Sequence, residues 1–134
     1  MKPLSSLKIL DFTRVLSGPY CTPRLVRMLL RLSRLLATII GILGRLLVII
    51  KSALFETVNR GKRSLVFDLG RQDDRAVALK LGAQADVVVE NFKPGVADKL
   101  GVGFAALSAI NPKLIYASIS GFGQSGPLVW QARL

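Results

Sequence analysis

Short apolar runs alternate with longer mixed stretches along most of this chain, and glycine or proline closes each run. Leu7 to Phe12 is the first run. The LSGPY that follows carries the Gly-Pro punctuation of a strand-to-helix turn. Ser64 to Leu69 reads as another strand, of mixed Val, Phe and Leu, ended by Gly70. In RQDDRAVALKLGAQ, residues Ala76, Leu79 and Leu81 favour helix, Asp73 and Asp74 complement the helix dipole in the first turn, and Gly82 is placed to weaken or end it. Asp86 to Phe92, DVVVENF, holds a β-branched run of the length of one buried strand, broken by Pro94 and Gly95. A helix over Val96 to Leu100, a loop through Gly101 and Gly103, a short helix near Ala105 to Ala109 and a strand at Leu114 to Ser118 complete a βαβ order. The expectation is an α/β fold, a parallel sheet with covering helices.

The block from Pro23 to Ile50 follows other rules. Arg24, Arg27, Arg31 and Arg34 recur at helical spacing, with Leu, Val and Met around them, which predicts a helix with one basic stripe. LLATIIGILGRLLVII then places 16 residues around the single charge of Arg45, fewer than the roughly 20 apolar residues that span a bilayer. A membrane-surface helix and a buried helix both fit this pattern.

Composition alters the picture in two places. The chain has 19 Lys and Arg against 8 Asp and Glu, a net charge of +11. The seven basic residues between Phe12 and Phe55 face no Asp or Glu in that stretch, so much of the excess belongs to the anomalous block. With few aromatics among the cations and no recognisable module, nucleic acid is not expected as a partner, and the flanks give no support to a membrane partner. Cys21 is alone and histidine is absent, which excludes a disulfide framework, a Cys/His metal site and a Ser-His-Asp triad within these residues. No secretory pattern opens the chain. The cytoplasm is the default compartment, with mitochondrial and peroxisomal locations open, because the Arg bias comes too late for a transit peptide.

Residues 3 to 22, PLSSLKILDFTRVLSGPYCT, and residues 59 to 127, from NRGKRSLVFDL through ADVVVENFKPGVADKLGVGF to NPKLIYASISGFGQSGP, resemble the N-terminal part of family III CoA-transferases, a superfamily that includes formyl-CoA transferases, carnitine CoA-transferases and acyl-CoA racemases. The resemblance implies a partial Rossmann-like domain over residues 1 to 134 that binds coenzyme A as substrate, without metal, and is truncated relative to family members about three times longer. It implies transfer of CoA between an acyl-CoA thioester and a carboxylic acid, through mixed-anhydride and aspartyl-CoA intermediates. The nucleophile of such enzymes lies in a Pro-Gly-Tyr-Asp segment just after the GFGQSGP-like one. No catalytic residue is therefore expected among these 134, and neither Asp11, Asp68 nor Asp86 matches it. Interlocked homodimers are implied for the family. Much of that linkage comes from a later part of the family fold, so aggregation is expected of these residues alone.

By the same resemblance, Leu16 and Ser17 in the turn after the first strand, Phe67, Asp68, Leu69 and Gly70 after the next, and Asn91, Phe92 and Lys93 after DVVVE line the CoA site. Lys99 takes a position where the family often has an arginine facing phosphates, keeping the charge and losing the planar fork. Each has a plainer structural reading: Leu16 and Ser17 beside a turn shaped by Gly18 and Pro19, Lys99 as a surface lysine. For Arg60, Lys62 and Arg63 the solvated reading is preferred, and Glu90 is given no role. The Gly121 to Gly126 loop is weak as a phosphate cradle, lacking the dinucleotide fingerprint. A racemase shares this half of the fold, but ADVVVENFKPGV resembles the transferase branch more.

Between the matching flanks the family has a helix and a strand resembling LGADVIKVE. Here the Arg/Leu-rich residues 23 to 50 stand in their place. Suitable codons for Arg27 to Leu35, read one base earlier, encode Asp-Ala-Ala-Ala-Val-Val-Lys-Val, so a displaced reading frame accounts for the block as well as an insertion does. Either way the expectation is a sheet of at least four strands without the second strand and its covering helix.

Overall fold

Strand β1, Ile9–Asp11, forms within the first apolar run, and helix α1, Ser17–Leu25, follows the turn that Gly18 and Pro19 punctuate. A computed structural model describes residues 7–25, 29–32 and 53–131. Within them β2 spans Leu29–Leu32, α2 Ala53–Asn59, β3 Lys62–Leu65, α3 Gln72–Gln84, β4 Val87–Glu90, α4 Val96–Lys99, α5 Phe104–Ile110 and β5 Ile115–Ser118, followed by a 3₁₀ turn at Val129–Gln131.

All ladders are parallel, in the order β3-β2-β1-β4-β5. This matches the first five strands of the Rossmann order. The central strands are apolar because residues on both faces are covered: Ile9, Leu10, Val88 and Val89 are all buried.

The second strand, expected to be missing, is present. Leu29–Leu32 fills the slot between β1 and β3, pairing Leu30 with Leu10 on one side and with Arg63 on the other. A central parallel slot asks for a short unbroken run that satisfies two ladders of backbone hydrogen bonds, and a Leu-rich run meets that requirement although it is not β-branched. The predicted Arg-striped helix is corrected accordingly: Arg24 belongs to α1 and Arg31 to β2. Arg27, Arg34 and the LLATIIGILGRLLVII segment lie outside the described residues. Among the described residues no helix is long and apolar enough to cross a membrane.

The larger core lies on one face of the sheet, where Leu10 and Val88 meet Ala78 of α3, Ala97 of α4 and Leu107 of α5. Full burial of a Leu or Val side chain here stabilises by roughly 1.5–3 kcal/mol. Gly82 does not end α3, which continues to Gln84. Gly82 is buried, and a Cβ there would run into the Leu107 side chain, so its value lies in the close approach of α5. On the other face Ile9 and Val89 form a smaller cluster with Leu7, Val87, Ala117 and Ile119, and α1 packs on β1 and α2.

The strand predicted over Ser64 to Leu69 starts and stops earlier. The β2–β3 ladder ends at the Leu32–Leu65 pair, so Val66 to Leu69 continue as a loop. That loop is tied locally: Asp68 N–H donates to Asp74 Oδ2 at 2.7 Å, and Gly70 N–H to Asp68 Oδ1 at 2.9 Å.

Candidate functional site

Because the strands run parallel, their exit loops gather along one edge of the sheet. The topology reverses between β1 and β4: the chain leaves β1 toward β2 on one side and β4 toward β5 on the other. Open α/β sheets bind ligands in the crevice at this reversal.

The two exit loops are fastened to each other. Phe12 N–H donates to Val89 O at 2.8 Å. The Asn91 side chain then takes both backbone groups of Arg14, its Oδ1 accepting from Arg14 N–H at 2.8 Å and its Nδ2 donating to Arg14 O at 2.9 Å. The Phe12 and Phe92 rings pack at 6.5 Å between centroids, tilted by 40°. Over Phe92 lies the Arg14 guanidinium, with Cζ 5.8 Å from the ring centroid, a cation–π contact worth about 0.5–1 kcal/mol where partly exposed. Glu90, given no role from sequence, is 4% exposed, and its Oε2 accepts from Phe92 N–H at 2.7 Å, which shapes the turn out of β4.

Beneath the β1–α1 loop sits a buried polar network. The Asp11 carboxylate, fully buried, pairs with Lys62 Nζ at 2.8 Å, and the lysine side chain is only 2% exposed. Thr22 Oγ1 donates to Asp11 Oδ2 at 2.7 Å, Thr13 N–H donates to Oδ1 at 2.8 Å, and the Thr13 hydroxyl also donates to Oδ1. Lys62 Nζ reaches Pro19 O at 3.1 Å as well. The solvated reading of the basic turn therefore holds for Arg60 and Arg63, which are exposed, and is overturned for Lys62. A buried carboxylate needs a partner, and this lysine supplies it. Gly18 is pressed against Thr13, where a Cβ would collide with that side chain. Val15, at the tip of the loop, has φ of 63° and is 84% exposed, a left-handed conformation unusual for a β-branched residue.

The residues expected to line the site fall into two groups. Leu16, Ser17, Asn91, Phe92 and Lys93 stand at the β1 and β4 exits, the first two exposed at the start of α1 and Lys93 exposed after the turn. Phe67, Asp68, Leu69 and Gly70 sit in the loop after β3; Leu69 is buried in the core and Phe67 packs on it, leaving Asp68 and Gly70 exposed. Phe92 is 5% exposed, so its ring serves mainly as a floor for Arg14. Lys99 ends α4 and is exposed. Sequence reasoning weighs Asp11 only as a nucleophile and Lys62 only as a solvated cation, and it misses Arg14, for which a cation three residues after the acid that ends a buried strand is the available signal. Tyr116 on β5 is held well above the ordinary phenol value of 10.0, by burial first and then by the charges of Glu90 and Asp98.

The fold is a doubly wound α/β domain whose strand order reverses between β1 and β4. The sequence profile described as CoA-transferase family III matches residues 45–133, and the chain belongs to that family. It is 44% identical over 129 residues to an acetyl-CoA:oxalate CoA-transferase of Acetobacter aceti, covering 94% of this chain and 33% of that protein. A succinyl-CoA:mesaconate CoA-transferase of Haloarcula hispanica is 43% identical over 137 residues, covering 92% of this chain and 33% of the relative. Among solved structures, a CAIB/BAIF family protein from Brucella suis superimposes with a TM-score of 0.82 at 35% identity, over 97% of this chain and 36% of that one. The chain thus spans about a third of the length of these relatives.

Proposed function

We propose that this chain forms the CoA-binding wall of a protein that moves CoA between an acyl thioester and a carboxylic acid. The observation that carries the reading is the Asn91 bridge, which fastens the β1 and β4 exits to each other at the reversal of strand order. Leu16, Ser17, Asp68, Gly70, Lys93 and Lys99 supply contacts to CoA in this reading. Phe67, Leu69 and Phe92 shape the walls from behind, and Asn91 acts through Arg14. No metal is called for, and the acid and the acyl-CoA are the only small-molecule partners.

The covalent step of such a transfer needs a carboxylate nucleophile. Asp11 is committed to Lys62, Asp68 caps its own loop, and the Asp86 carboxylate accepts from Lys8 N–H at 2.7 Å. We therefore expect residues 1–134 to bind CoA without turning it over. Isothermal titration of the purified chain with CoA and acetyl-CoA, beside a discontinuous assay for CoA transfer to oxalate, tests both halves. Saturable binding without transfer is the expected result. Absence of binding would sink the CoA reading, and measurable transfer would sink the assignment of the nucleophile elsewhere.

A further inference from the structure

Among the cations of the described residues, Arg14 is held unlike the others. Its backbone is fixed at both ends by the Asn91 amide, at 2.8 and 2.9 Å. Its guanidinium lies over the Phe92 ring, whose own backbone N–H is pinned by Glu90. Half-buried at the reversal of strand order, it has no carboxylate partner among the described residues. The acid nearest in sequence, Asp11 at the end of β1, is already paired with Lys62. A planar fork with its backbone locked, one face stacked and no counter-charge is prepared for an oxyanion from outside.

We infer that Arg14 is the anion-receiving residue of the crevice, taking a carboxylate or phosphate of the substrate in a forked pair of N–H···O hydrogen bonds. The inference rests on the CoA-transfer reading for the identity of those oxyanions. That reading supplies two sources, the phosphates of CoA and the free carboxylate of the acceptor acid. The lysines near the crevice are different instruments. Lys93 and Lys99 are exposed point charges on the surface, and Lys62 is buried and paired, so none of them offers a stacked, directed fork. The start of α1 at Ser17 opens nearby in sequence, and the partial positive charge of its free N–H groups has the same sign.

The test compares the native chain with Arg14→Gln and Arg14→Lys by calorimetric titration of CoA, and separately of oxalate and glutarate. Loss of roughly 10- to 100-fold in CoA affinity in Arg14→Gln, with most of it kept in Arg14→Lys, identifies phosphate as the anion. Unchanged CoA affinity with loss of dicarboxylate binding in both variants identifies the carboxylate. Equal binding of CoA and of both acids by native chain and variants overturns the inference while the CoA reading stands. If the native chain binds neither CoA nor acid, the CoA reading falls first and takes the inference with it. Labelling of the native chain with phenylglyoxal guards against a folding defect in the variants. Slower modification of Arg14 in the presence of CoA or oxalate, located by peptide mass mapping, supports the assignment; modification at an unchanged rate with both opposes it.

Discussion

At the scale of single residues, the Asp11–Lys62 pair shows why a charge count misleads. Two of the chain's ionised groups are spent in the interior, where they join the end of β1, the start of β3 and, through Thr22 and Pro19 O, helix α1. Removing one partner strands the other in a place without water. Lys62→Met should therefore cost about 3–5 kcal/mol in urea unfolding, while Asp11→Leu combined with Lys62→Met should cost clearly less than the sum of the single changes. Additive losses would show that the pair is not coupled. This use of Lys62 is not legible locally, because its neighbours Arg60, Gly61 and Arg63 all have the composition of a solvated turn. Burial was decided by where β3 docks, which no local pattern encodes.

At the scale of elements, the strands and helices of the second half were legible because apolar period and Gly/Pro punctuation agree there. The DVVVENF strand, the α3 helix and the exit at Pro94 and Gly95 all lie within a residue or two of their expected limits. Two elements were misread. The strand after Gly61 lies earlier than expected, its ladder with its neighbour β2 running from the Leu29–Lys62 pair to the Leu32–Leu65 pair. That neighbour was not foreseen, since Leu and Arg at helical spacing outweigh four residues that tertiary pairing holds as a strand. The sheet exits were legible to the same degree: Leu16, Ser17 and Asn91 to Lys93 stand where the family-like motifs put them, after β1 and β4, whereas the placement of Arg14 over Phe92 needed the geometry of Asn91. Helix packing offers a direct check. Gly82→Ala raises helix propensity by up to about 1 kcal/mol but forces a methyl group into Leu107, at roughly 1–3 kcal/mol. The variant should unfold at lower temperature than the native chain, and Gly82→Ala with Leu107→Ala should show a smaller loss than Leu107→Ala alone. A rise in melting temperature for Gly82→Ala alone would mean that α3 and α5 are less tightly engaged than described.

At the scale of the whole molecule, alkaline pH is the revealing variable. Burial, with Glu90 and Asp98 adding to it, keeps the Tyr116 hydroxyl protonated in the folded state beyond the ordinary 10.0. An unfolded chain releases that proton near its ordinary value, so the folded state holds more protons above it. This contribution is intact below pH 10.0 and is lost progressively as pH rises through and past it. Lysines titrate in the same range, so the useful quantity is the difference between the native chain and Tyr116→Phe. The native chain should lose stability faster than the variant above pH 10.0 in guanidinium melts, and parallel curves would remove Tyr116 from the account.

The strand order has one more consequence. β1 and β4 touch, yet the chain between them travels to the β3 edge and returns through the loop at residues 66–71 and helix α3. A single peptide-bond cut in that loop would separate the protein into two pieces, each carrying one wall of the crevice, with the β1–β4 ladder and the Asn91–Arg14 bridge as their seam. A ligand gripping both walls would then act as the fastener, and its occupancy and the joining of the halves would become a single equilibrium that strengthens with the concentration of all three components.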